Sequence, residues 1–140
     1  MTVSTTTGQP TETRRIRVLL FSDDRTTRDA VRFAVGTRPA PDVEVEEWHE
    51  VATPTMVEMA VKDESNHYDV LVLDGEAQPY GGLGLCRQLK NELFECPPVL
   101  VLIGRREDGW LAAWSQADAV VTHPLDHTAV AEAVARLARS

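Results

Sequence analysis

Two apolar runs of this chain each stop at aspartate. Ile16-Arg-Val-Leu-Leu-Phe21 leads into Ser22, Asp23 and Asp24, and Val70-Leu-Val-Leu73 leads into Asp74. Continuous short apolar runs fit strands that are buried on both faces. If the two strands lie side by side and parallel, their C-terminal ends bring three carboxylates to one edge of the sheet. Ligands of open α/β sheets bind at such an edge, where the strand order reverses. Clustered carboxylates call for a cation, a shared proton or a chemical task.

The rest of the chain repeats the same stride. The first strand, about 16–21, is followed by a helix over about 25–35, with Asp24 as N-cap and Gly36 as its stop. Ala30, Val31 and Ala34 in this helix have helical spacing. The segment 43–48 alternates valine and glutamate, as a strand near the sheet edge would, and 53–62 is a second helix with Met56, Met59 and Ala60 on one face. The third strand is 70–73. A loop from Asp74 to Gly82 opens a helix carrying Leu83, Cys86 and Leu89. Pro97 and Pro98 precede the fourth strand, 99–103. A shorter helix, about 108–116, carries Trp110 and Trp114. The fifth strand is 119–122, Pro124 turns the chain, and Asp126 caps a last helix with Val130, Ala133, Val134 and Leu137 on one face. Five βα units in succession imply an α/β fold: a parallel sheet with helices on both faces.

Size and charge narrow the function. A chain of 140 residues is read as one domain, able to bury roughly two thirds of its unfolded surface without staples. The formal net charge of −8 argues against nucleic acid and against an anionic membrane surface, both of which select Lys and Arg. The longest strongly apolar stretch, 99–103, is too short for membrane insertion. Residues 1–14, rich in threonine and without an apolar centre, read as a flexible tail rather than a secretory signal. Cys86 and Cys96 lack the second pair of a zinc site and read as buried, reduced thiols of a cytoplasmic protein.

The chain resembles the receiver domain of two-component response regulators over about 15–140. The resemblance is carried by Val18-Leu-Leu-Phe-Ser-Asp23-Asp24, Tyr68-Asp-Val-Leu-Val-Leu-Asp74, the proline and glycines from Pro79 to Gly82, Pro98-Val-Leu-Val-Leu-Ile103-Gly-Arg, and Ala117-Asp-Ala-Val-Val-Thr-His123-Pro124. Each piece is weak alone, and the five in order are specific. The resemblance implies a flavodoxin-like sandwich with strand order 2-1-3-4-5. It implies Asp74 as phospho-acceptor, and Mg²⁺ held by Asp23, Asp24, Asp74 and the backbone carbonyl of Glu76. An aspartyl nucleophile would take a phosphoryl group from phosphohistidine while the metal neutralises developing charge.

The departures are as informative. Receivers place Thr or Ser at the end of the fourth strand, where this chain has Ile103. They place lysine before the proline after the fifth strand, where this chain has His123. Their aromatic switch residue corresponds to Val120. Pro79 stands five residues after Asp74 instead of the usual four. The metal side is kept, while the parts that sense and relay a phosphoryl group are degenerate. The segment from Asp74 to Gly82, with Ser22 to Arg25 and Trp110 to Trp114, further resembles stand-alone actinobacterial receivers without an output domain. Their genes often lie beside those of the proton-pumping NADH dehydrogenase, so respiratory complex I is implied as a candidate partner.

Each signal has a plainer alternative. Asp24 is explained as an N-cap alone. His123 is read first as a polar filler where a lysine would stand, and second as an imidazolium that partly replaces it. His49, His67 and His127 show no ligand spacing and read as surface residues. Trp110 and Trp114, four apart, share a helix face. Trp110 aligns with a usually buried receiver position and Trp114 with an exposed one, so Trp114 is the expected partner-binding contact. Gly81-Gly-Leu-Gly84 lacks the spacing of a phosphate loop. Arg14, Arg15, Arg25, Arg28 and Arg32 are read as a cluster around the first helix, either a kinase-docking face or a solvated one.

The expectation is an atypical, stand-alone receiver that is not an enzyme and acts by protein binding, with phosphorylation of Asp74 absent, weak or uncoupled from a switch. Its rivals are a conventional phospho-relay protein with a histidine kinase partner, a constitutive subunit of a larger assembly, and a metal-assisted phosphatase. A homodimer is left open.

Overall fold

The computed structural model describes residues 12–77 and 81–140. Most of the expected tail, residues 1–11, and Pro79 with Gln78 and Tyr80 lie outside the described residues.

Strand β1 (Arg14–Phe21) joins β2 (Val43–Val51), β3 (Val70–Asp74), β4 (Val99–Ile103) and β5 (Ala119–Thr122) in a five-stranded parallel sheet, in the order β2-β1-β3-β4-β5 with β3 at its centre. This is the expected order. β1, β3 and β4 are the continuous apolar runs because both of their faces are covered. β2, the Val/Glu strand, lies at the edge as its alternation predicts, but extends to Val51. Its register against β1 shifts between Ile16 and Arg17, from Val45 to Glu47, which leaves Glu46 as the extra residue.

Period-two alternation along the strands sorts the core into two layers. Ile16, Val18, Leu20, Val70, Val72, Leu100 and Leu102 face α1 (Arg25–Val35) and α5 (His127–Ala138). Leu19, Phe21, Leu71, Leu73, Val99, Val101 and Ile103 face α2 (Pro54–Lys62), α3 (Gly82–Glu92) and Ala112 of α4 (Gly109–Trp114). Asp24, Thr53 and Asp126 cap α1, α2 and α5, each accepting from a backbone N–H of the first turn. Gly36 ends α1 at φ 63°, a conformation that suits glycine.

Several details differ from the sequence reading. α2 turns Pro54, Val57 and Ala60 inward, so Met56 and Met59 are exposed. The tryptophan-bearing helix is only Gly109–Trp114, preceded by a 3₁₀ turn at Arg106–Asp108. Cys86 is buried, but Cys96 only half so. The five arginines do not form one cluster. Arg14 and Arg15 sit at the start of β1, where Arg14 Nη1 donates to the Ala138 carbonyl at 3.0 Å. Among the described residues no helix is long and apolar enough to cross a membrane.

Candidate functional site

The strand order reverses beside β1, and the site forms there. β1 and β3 pair in register, Leu20 opposite Val72 and Phe21 opposite Leu73. Ser22 follows Phe21, just past the end of β1, and Asp74 follows Leu73 as the last residue of β3. Both side chains continue the rows of Leu20 and Val72, and they meet: Ser22 Oγ donates to Asp74 Oδ2 at 2.7 Å. Asp74 is 3% exposed and Ser22 fully buried. The other oxygen, Asp74 Oδ1, accepts from the Glu76 N–H at 2.9 Å. Asp74, Asp23, Asp24, Thr27, Glu76, Gly104 and His123 line one open crevice of about 310 Å³.

The two exposed aspartates play different parts. Asp24 engages both carboxylate oxygens on the first turn of α1, accepting from Thr26 N at 3.0 Å and Thr27 Oγ1 at 3.1 Å. Asp23 is exposed on the crevice rim. The donors are all oxygen, the type magnesium takes. They are not drawn together here: among the described residues no three His, Cys, Asp or Glu side chains are grouped to hold a metal ion. The Glu76 side chain instead folds over Gly104, where a Cβ would fall 2.6 Å from Glu76 Oε1.

His123 lies on the far side of Asp74. Its Nε2 is 4.0 Å from Asp74 Oδ1, within electrostatic reach and beyond a hydrogen bond. Its N–H donates to the Ile103 carbonyl at 2.8 Å, extending the β4–β5 pairing, and the His123–Pro124 peptide is cis. Ile103 is 1% exposed and packs in the layer of Phe21, Leu73 and Val101. Val120 is 42% exposed on β5. No side-chain hydroxyl stands at the end of β4, and no aromatic ring stands on β5.

Away from the crevice, both tryptophans of α4 are exposed, Trp110 at 69% and Trp114 at 46%. Trp114 is exposed, as its alignment implied. Trp110 does not occupy the buried position its alignment implied, because α4 is short and sends only Ala112 into the core. The Arg87 guanidinium lies 4.7 Å from the Trp114 ring centroid and donates to the Trp114 carbonyl at 2.6 Å. His67 and His127 are exposed, whereas His49 is half-buried with Nδ1 2.6 Å from the Tyr68 hydroxyl. Burial pushes the Cys86 thiol up to about 11, which removes it as a nucleophile.

Sequence reasoning missed Ser22 and Arg28. The signal for Ser22 was present: alternation places it in the row of Leu20, and Asp74 in the row of Val72, on adjacent strands. Arg28 donates from Nη1 to the Ser22 carbonyl at 2.7 Å and from Nε to Glu50 at 3.1 Å, while Arg32 Nη1 reaches Glu50 at 2.7 Å. That contact depends on β2 running on to Glu50, past the stretch with legible alternation.

The fold and its acid-lined crevice define a receiver-type α/β domain. Solved structures of the same shape include a putative response regulator from Chloroflexus aurantiacus (TM-score 0.73, 16% identity, 91% of this chain and 100% of that one). They also include the signal receiver domain of the putative response regulator NarL from Mycobacterium tuberculosis (TM-score 0.69, 18% identity, 91% and 98%). At these identities the likeness is one of fold. No family model matches the chain. An uncharacterized response regulatory protein of Mycobacterium tuberculosis, found in strains CDC 1551 and H37Rv, is 44% identical over 131 residues, which is 94% of this chain and 97% of that protein. The chain belongs to the response regulatory proteins.

Proposed function

We propose that this chain is an atypical receiver that works in the cytoplasm by binding a protein partner rather than by catalysis, with Asp74 as an acceptor whose modification is weak or uncoupled from a switch. The observation that carries this reading is the pair of Ile103, locked in the core, and Val120, an exposed aliphatic residue. A phosphoryl group on Asp74 would meet no hydroxyl at β4 whose movement an aromatic ring on β5 could follow. A ligand that does not distinguish two states cannot shift them.

Trp114, with Trp110 beside it, is the proposed partner contact, since exposed tryptophans are enriched in binding hot spots. Mg²⁺, held by Asp23, Asp24, Asp74 and the Glu76 carbonyl, would supply charge neutralisation at a phosphorylated Asp74. The buried Asp74 in its acidic crevice favours one second reading, a conventional relay partnered by a histidine kinase. Affinity capture with wild type, Trp114→Ala and Asp74→Asn separates the two. The binding module predicts capture that Trp114→Ala loses and Asp74→Asn keeps. Capture that requires prior phosphorylation of Asp74 would overturn it in favour of the relay.

A further inference from the structure

We infer that Ser22 is a positioning residue that holds the Asp74 carboxylate in its unmodified form and so slows its modification. The inference rests on the reading of Asp74 as an acceptor. The Ser22 hydroxyl accepts from the Asp24 N–H at 3.0 Å, so its own proton is directed at Asp74 Oδ2, 2.7 Å away. Glu76 N holds Oδ1. Each oxygen of the acid therefore has a fixed donor, and burial strengthens such bonds to an anion.

In the transfer from acetyl phosphate, an electron pair on a carboxylate oxygen forms the new O–P bond. The O–P bond to the acetyl group breaks, and acetate leaves with the electron pair of that broken bond. The carboxylate charge is shared between both oxygens, so the acyl phosphate is a poorer acceptor for Ser22 whichever oxygen reacts. At the other side of the crevice Ile103 offers no hydroxyl to the incoming phosphoryl oxygens, so no side-chain donor at the end of β4 replaces the weakened bond. Arg28 fixes the Ser22 carbonyl at 2.7 Å, which keeps this donor from following Asp74 elsewhere.

The test is intact-protein mass over time with acetyl phosphate and Mg²⁺, for wild type, Ser22→Ala, Ser22→Cys, Ser22→Thr and Asp74→Asn. Ser22→Ala should gain one phosphoryl group about tenfold faster than wild type, the scale of a lost hydrogen bond to a charged group. Ser22→Cys, which keeps the volume but is a weaker donor, should be faster too and serves if Ser22→Ala does not fold. Ser22→Thr restores the hydroxyl and should return to the wild-type rate, while Asp74→Asn should stay unmodified. Equal or slower modification of the alanine and cysteine variants, silence in them and in wild type alike, or an equally fast threonine variant would overturn the inference. Wild-type modification that controls partner capture would instead sink the binding-module reading and leave the comparison among the Ser22 variants standing.

Discussion

Arg28 joins the loop of the site to the edge of the sheet: one guanidinium nitrogen holds the Ser22 carbonyl at 2.7 Å and another meets the Glu50 carboxylate at 3.1 Å. Its side chain is 17% exposed, so water replaces these contacts poorly. Arg28→Ala should cost about 2 kcal/mol in urea unfolding. Arg28→Lys should recover less than half of that, because an ammonium cannot fork between a carbonyl and a carboxylate as a guanidinium does. Full recovery by lysine would show that only the charge matters.

Glu50 gives a pH dependence with a definite sign. Partial burial raises its carboxyl, but the hydrogen bonds from Arg32 and Arg28 outweigh that and hold it below its ordinary 4.5. A depressed folded-state value means the stabilisation is complete above the unfolded value and is lost as pH falls through the folded one. Asp42, Asp63 and Glu92 are lowered as well, so the difference between variants is the useful quantity. The gap in melting temperature between wild type and Glu50→Gln should be constant at neutral pH and shrink below 4.5. A gap that persists unchanged at acid pH would remove Glu50 from the account.

Ile103→Thr should not restore a switch. The side chain is 1% exposed in the layer of Phe21, Leu73 and Val101, so the substitution deletes apolar contacts and brings a hydroxyl into the core. The expected cost is about 1–3 kcal/mol, read as a lower urea midpoint. With Val120 unchanged, the pattern of partner capture should stay as in wild type.

The two tryptophans should separate in stability measurements. Trp110→Ala removes a ring that is 69% exposed and should stay within about 0.5 kcal/mol of wild type. Trp114→Ala loses the cation–π contact with Arg87 at 4.7 Å and should cost about 1 kcal/mol. Equal losses would mean that the Arg87 contact contributes nothing.

The sheet was legible because its strands differ in kind. Residues 70–73 and Val99–Ile103 are apolar throughout, whereas Val43–Val51 opens on alternating valine and glutamate, which distinguishes covered strands from an edge strand. Helix starts were legible from Asp24 and Asp126, whose side chains bond the turn they precede. The site was legible as acids at strand ends but not as a hydrogen-bonded group. Asp24 was legible as a cap and bonds the first turn of α1, whereas Ser22 was not singled out and touches Asp74. Alternation places Ser22 in the row of Leu20, but short-range spacing does not say which side chain it meets across the sheet. The same limit applies to α2, where Met56 and Met59 fit a helical stripe as well as Val57 and Ala60 do, and only tertiary packing selects the second pair.

One consequence concerns where a probe can be attached. Arg14 at the start of β1 binds the Ala138 carbonyl at the end of α5, and Arg139 grips Asp42 at 2.6 Å just before β2. These contacts gather Arg14 and Ser140 at the pole of the sheet opposite Asp74, which stands at the C-terminal end of β3. A fluorophore or surface tether fixed at Ser140 would leave the acid crevice facing away from the support.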